Sequence, residues 1–166
     1  VRKLYLVRHG KSSWEIPGLS DQARSLTSQG RKRTERIAAF LLNRGVSPGL
    51  IVCSHAKRAF ETAVILARCL NYPRHEILIE SKVYNGTGDK LYELILALPD
   101  HHDSVMIVGH NPGITQLANS FLHQKADVLP TSSLVGVSFD ASTWGEVPLA
   151  HRQVLFVIDP KSLNNP

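Results

Sequence analysis

Short apolar runs alternating with longer segments of helical period set the tightest limit on what this chain can fold into. Residues Lys3–Arg8 (KLYLVR), Leu50–Cys53 (LIVC) and Ser104–Val108 (SVMIV) have the brevity and near-continuous apolar character of buried strands. Glu76–Ile79 reads as a further short strand. Across Ser28–Arg44, by contrast, Ile37, Ala38, Leu41 and Leu42 recur at helical spacing, and Gly45 sits where a C-terminal stop belongs. Ala56–Leu70 is a second helix ending before Asn71 and Pro73, and Asp89–Leu98 a third, stopped by Pro99. Asn111-Pro112 opens another, with proline at the first helical position where its missing N–H does no harm. Trp14–Arg24 carries Pro17 and Gly18 without a clear period and reads as loop. Alternating stretches at Leu134–Phe139 and Gln153–Ile158 read as two strands joined by a Gly/Pro-containing excursion. Strands alternating with helices imply an α/β fold, here a three-layer sandwich with a mainly parallel central sheet, helices on both faces and an antiparallel edge from the C-terminal strands.

The totals narrow the function. At 166 residues the chain suits one domain, residues 1–166, with a substantial core. Apolar residues at 43% and charged residues at 20% carry no disorder signature, and a net charge of +5 mildly favours anionic partners. The charge is spread along the chain. Arg31-Lys32-Arg33 has no interleaved aromatics, so it reads as a solvated helix face, and no nucleic-acid partner is expected. No apolar stretch reaches membrane-span length, and an N-terminus that enters a strand at once predicts no signal peptide. Cys53 and Cys69 form neither a CxxC pair nor a zinc spacing, which predicts reduced thiols in a cytoplasmic protein. His101-His102 lacks the further ligands a metal would need, and no metal or other cofactor is expected.

Three strands end in directional chemistry. The first ends Arg8-His9-Gly10, the second runs through Ser54 to Arg58 in the first turn of the next helix, and the later one ends Gly109-His110-Asn111-Pro112-Gly113. Ligands of open α/β sheets collect outside the carboxyl ends of the strands, so parallel neighbours would point Arg8, His9, Arg58 and His110 into one crevice. Two guanidinium forks can bind phosphoryl oxygens bidentately. One imidazole can attack phosphorus, and the other can donate to an equatorial oxygen. Glycines beside both histidines let the backbone approach closely, and the helix near Pro112 can turn N–H groups toward an anion.

Arg8-His9-Gly10 resembles the RHG hallmark of the histidine phosphatase superfamily. Ser54-x-x-x-Arg58-Ala59-x-x-Thr62 is similar to its second motif and Gly109-His110 to its third. The stretches Arg8-His9-Gly10-Lys11-Ser12 and Asp21-x-x-Arg24-x-Leu26-Thr27-x-x-Gly30 are most similar to the SixA-like phosphohistidine phosphatases. The resemblance implies His9 as nucleophile, Arg8 and Arg58 on the phosphoryl oxygens, and His110 as the second site histidine. Arg24 is implied as a further phosphate ligand, with a salt bridge to Asp21 as the alternative. Ser12 and Lys11 are candidates for substrate contact. The implied activity is metal-independent dephosphorylation of phosphohistidine on a protein, with inorganic phosphate as product.

One departure bears on substrate. Many superfamily members supply a general acid, usually Glu, between the second and third motifs, and here only Glu80 and Asp89 are candidates, Asp89 reading better as a helix-start residue. A missing acid suits a P–N bond, because a protonated imidazole leaves as a neutral molecule whereas an alkoxide needs a proton. The competing readings are a phosphomonoesterase for a small phosphorylated metabolite, with a real acid and a deeper pocket, and a phosphate-binding module without turnover. His55 reads either as a pocket-lining residue or, the better reading, as an exposed helix-start residue, and Cys53 as an inert buried thiol.

Overall fold

The computed structural model describes residues 1–163. Six strands form one sheet: β1 (Arg2–Arg8), β2 (Leu50–Cys53), β3 (Leu78–Ile79), β4 (Ser104–Gly109), β5 (Leu134–Phe139) and β6 (Arg152–Ile158), in the order β3-β2-β4-β1-β5-β6. The four strands from β3 to β1 are parallel, and β5 and β6 add the antiparallel edge. Helices α1 (Ser28–Asn43) and α2 (Lys57–Cys69) cover one face, and α3 (Gly88–Leu96) and α4 (Gly113–Asn119) the other. The expected α/β sandwich is the one observed.

The continuity of the strand runs has a simple cause. Leu4 and Leu6 of β1 pack with Leu91 and Ile95 of α3 and Leu117 of α4, whereas Tyr5 and Val7 pack with Ile37 and Leu41 of α1. β2 divides likewise, Val52 to one core and Ile51 and Cys53 to the other. A strand buried on both faces has no polar side to alternate with.

Helix α1 is capped by the Thr27 side chain, which accepts from the Gly30 amide, and α3 by Thr87, which accepts from the Lys90 amide. Three details differ from expectation. The third strand contracts to Leu78–Ile79, whose side chains are both exposed at the sheet edge. Pro112 stands one position before α4 rather than inside it. The excursion between β5 and β6 contains a 3-10 turn, Trp144–Leu149, which buries Trp144. Among the described residues, no helix is long and apolar enough to cross a membrane.

Candidate active site

The sheet order brings together the three strand ends that carry the chemistry. Arg8 lies opposite Gly109 and Cys53 opposite Val108, so β4 is flanked by β1 and β2 in parallel register. The ladder continues one step further on each side: His9 N–H donates to Gly109 O at 3.0 Å and Ser54 N–H to Val108 O at 3.3 Å. His9 and Ser54 therefore emerge on either side of Gly109-His110. Beyond β1 the chain is pinned by Gly10 N–H on Thr62 Oγ1 (3.0 Å) and by Ser132 N–H on the carbonyls of Arg8 and His9, both at 3.1 Å.

The glycines serve packing rather than access to a ligand. A Cβ on Gly10 would lie 3.0 to 3.1 Å from Leu26, Gly30 and Thr34, and one on Gly30 would lie 2.4 Å from the Lys11 carbonyl. The loop after β1 thus rests directly on the first turn of α1. A Cβ on Gly109 would meet Ile114 and Val83. Within α4 the amides of Ile114, Thr115 and Gln116 are already engaged, bonding to His110 O, Asn111 Oδ1 and Pro112 O.

All seven residues singled out in the sequence line one cavity of about 360 Å³: Arg8, His9, Lys11, Ser12, Arg24, Arg58 and His110, joined by Trp14, Asn111 and Thr131. Volume does not distinguish it, since concavities of about 450 and 580 Å³ lie elsewhere, but neither of those contains an imidazole. Its charge does: four cationic side chains and two imidazoles line it, with no carboxylate among the described lining residues.

His9 is buried, and its Nδ1 lies 2.7 Å from the Gly10 carbonyl, an acceptor, so Nδ1 carries the proton and Nε2 is left with its lone pair. Arg58 Nε–H points at that Nε2 from 3.4 Å. Burial, followed by the charges of Arg58, Arg8 and Arg24, pushes the His9 pKa down to about 4 against the opposing pull of the Gly10 carbonyl. His110 lies beside it, with ring centroids 4.9 Å apart. Ser54 Oγ lies 2.6 Å from His110 Nε2 and accepts from Ala56 N–H, while His110 Nδ1 is buried without a partner. Burial and the neighbouring His9 and Arg58 push the His110 pKa down to about 3. Both imidazoles are neutral at pH 7.

Arg8 anchors one end on the Leu129 carbonyl at 2.9 Å and leaves its Nε–H without a partner. Arg24 lines the cavity and also forms the ion pair with Asp21, binding Oδ1 at 2.9 Å. It donates to Ser12 Oγ at 2.6 Å, and the exposed Trp14 ring lies over its guanidinium at 3.5 Å. The arrangement can hold a tetrahedral oxyanion against a neutral, unprotonated imidazole nitrogen.

A model of the histidine phosphatase superfamily (branch 1) matches residues 4–85, and the structure of SixA from Agrobacterium tumefaciens, assigned as a phosphohistidine phosphatase, aligns at a TM-score of 0.81 with 27% identity over 96% of this chain and 98% of that one. The chain belongs to the histidine phosphatase superfamily. A protein histidine phosphatase SixA complexed with tungstate shares the fold at a TM-score of 0.79 and 20% identity, over 96% of this chain and 97% of that one. An uncharacterised chloroplastic protein of Arabidopsis thaliana is 28% identical over 154 residues, 87% of this chain and 70% of that protein. Membership of the histidine phosphatase superfamily, with SixA-like neighbours, supports phosphatase activity acting on a phosphorylated substrate.

Neither acid candidate reaches the cavity of this histidine phosphatase superfamily member. The Glu80 side chain accepts from Lys82 N–H in a short turn, beside a different concavity, and Asp89 is exposed in the first turn of α3, where a carboxylate complements the helix dipole. His55 is exposed as expected, but its ring lies tilted against Tyr84 at 4.8 Å, and Tyr84 makes an edge contact with His110 at 5.3 Å. Burial pushes the Cys53 thiol up to about 12, in keeping with an inert strand cysteine. The stretch Lys11–Trp14 is expected to face the substrate without an assigned role, and Trp14 lines the cavity. Sequence reasoning did not place Asn111, Thr131 or Tyr84 at the site, because they belong to connections whose path the strand pattern does not dictate. Among the described residues, no group of three or more His, Cys, Asp or Glu is arranged to hold a metal ion.

Proposed function

We propose that this chain hydrolyses phosphohistidine on a protein, through a covalent phosphohistidine on His9 and without a metal. The observation that carries the reading is a cavity in which the unprotonated Nε2 of His9 faces a ring of guanidiniums, with no carboxylate in the described lining. In the first step His9 Nε2 attacks phosphorus and the P–N bond of the substrate breaks. The leaving imidazole, protonated on its other nitrogen, departs neutral, so no acid is required. Arg8, Arg24 and Arg58 hold the phosphoryl oxygens, and His110 Nδ1–H donates to one of them as charge develops. Water then attacks the phosphorus of phospho-His9, releasing inorganic phosphate and restoring the imidazole. Lys11, exposed, and Ser12, half-buried, line the same cavity and would contact the substrate. A cytoplasmic location fits the two free thiols.

The test is to incubate the protein with a labelled phosphodonor in chelator, quench in base and look for acid-labile phosphate. Label on His9, with His9→Ala losing both adduct and several orders of magnitude in turnover, is the expected result. Unchanged turnover in His9→Ala would sink the covalent route. Rates on a phosphohistidine protein compared with a panel of sugar phosphates then decide the substrate: faster turnover of the esters would make this a small-molecule phosphomonoesterase.

A further inference from the structure

Asp21 lies outside the cavity lining yet is bound to two of its cations. Its Oδ1 accepts from Arg24 Nη2 at 2.9 Å and from Arg24 Nε at 3.3 Å. Its Oδ2 accepts from Arg58 Nη2 at 3.0 Å, and its backbone carbonyl from Arg58 Nη1 at 2.8 Å. The Tyr84 hydroxyl, from the connection between β3 and α3, donates to the same Oδ2. The carboxylate is itself 45% exposed, whereas the side chains of Arg24 and Arg58 are 9% and 7% exposed. Asp21 therefore grips both guanidiniums from outside, while Arg58 Nε–H stays directed at His9 Nε2.

We propose that Asp21 is a positioning residue, holding the outer edges of Arg58 and Arg24 so that their remaining N–H groups face the bound anion, and that the Tyr84 hydroxyl keeps Asp21 in place. The inference rests on the anion-binding role proposed above for those two arginines. Two effects of opposite sign meet here. A carboxylate near a dianion opposes its binding through charge repulsion. A carboxylate that fixes two long, rotamer-rich side chains removes an ordering cost that binding would otherwise carry. Two hydrogen bonds to Arg24, both on Oδ1, and two to Arg58, on Oδ2 and the backbone carbonyl, make the second effect the larger. Tyr84 supplies the remaining restraint, because Asp21 sits on an exposed loop and would otherwise swing toward water with its hydrogen bonds exchanged.

Tungstate titrations of the full chain, followed by calorimetry, separate the effects. Asp21→Asn keeps the shape and removes the charge, so loss of repulsion alone would tighten tungstate. Positioning predicts about tenfold weaker binding and a parallel fall in kcat/KM. Tyr84→Phe retains the ring and every charge, and weakens tungstate about threefold, with the double variant no worse than Asp21→Asn alone. Thermal melts of each variant, without tungstate, confirm that a folded protein is being titrated. Equal or tighter binding by Asp21→Asn, when the wild type binds, overturns this inference and leaves the anion site standing. A wild type that does not bind tungstate overturns both. Should Asp21→Asn fail to fold, unchanged affinity in Tyr84→Phe overturns the inference by itself.

Discussion

A single hydrogen bond decides which nitrogen of His9 is available. The Gly10 carbonyl can only accept, so it claims the Nδ1 proton and leaves Nε2 as the base. Burial and three nearby guanidiniums then keep that nitrogen unprotonated far below the ordinary histidine range, to about 4. The sign of the consequence is clear: lowering the pH from 7 to 5 leaves His9 neutral, and protonation removes the nucleophile only as pH approaches 4. The initial rate of His9 phosphorylation by a donor whose own ionisation is constant should be flat across pH 5 to 7. A decline centred near pH 6.5 would mean that the imidazole is not held as described. His110 is placed by a comparable contact, with the Ser54 hydroxyl at Nε2, which leaves Nδ1 without a partner.

The elements hold these residues through close backbone contact more than through side-chain packing. The loop after β1 touches α1 where both are glycine, Gly10 against Gly30, and Thr34 fastens the contact by donating to Gly30 O at 2.8 Å. Gly30→Ala tests this. An alanine would favour the helix by about 1 kcal/mol, but its Cβ would sit 2.4 Å from the Lys11 carbonyl, and displacing backbone costs about 1–3 kcal/mol. Overpacking wins, so the urea midpoint should fall and activity should fall with it, since the displaced segment carries His9. A midpoint that rises would show the loop to be free to move away. Thr27 strengthens the same junction, capping α1 through the Gly30 amide while its own N–H bonds to Lys11 O at 2.8 Å.

For the whole molecule, the order β3-β2-β4-β1-β5-β6 matters most, because it inserts β4 between β2 and β1 and so makes neighbours of three ends far apart in sequence. The site is built at the mouth of the core, and that has a cost in acid. His9 and His110 are buried as neutral rings with lowered pKa values, so the unfolded chain binds protons more readily than the folded one below pH 6.5. Their contribution is complete above that pH and is lost as pH falls toward 4 and 3, on the order of a few kcal/mol together. Asp21, held low by Tyr84 and Arg24, loses its contribution only in stronger acid. Urea midpoints should therefore drop steadily from pH 7 to pH 4, and His9→Gln with His110→Gln should flatten that slope. An equally steep slope in the double variant would place the acid sensitivity elsewhere.

The sequence by itself determined the layers, the polarity of the strands and the chemical identity of the site. Short apolar runs without alternation, such as LYLV and LIVC, read as strands covered on both faces by their length and flanking residues, and the rule that ligands gather at carboxyl strand ends carries Arg8, His9, Arg58 and His110 to one place. Only the tertiary structure decided the rest. That Gly10 and Gly30 meet, that the amides of Ile114, Thr115 and Gln116 are already engaged, and that Trp14, Tyr84 and Asp21 frame the arginines all depend on loop paths. Loop paths follow from which surfaces come to rest against one another, a matter of long-range packing that leaves no period in the chain. The choice of nitrogen on His9 is of the same kind: the residue is written in the sequence, but the carbonyl that directs its proton is placed only by the fold.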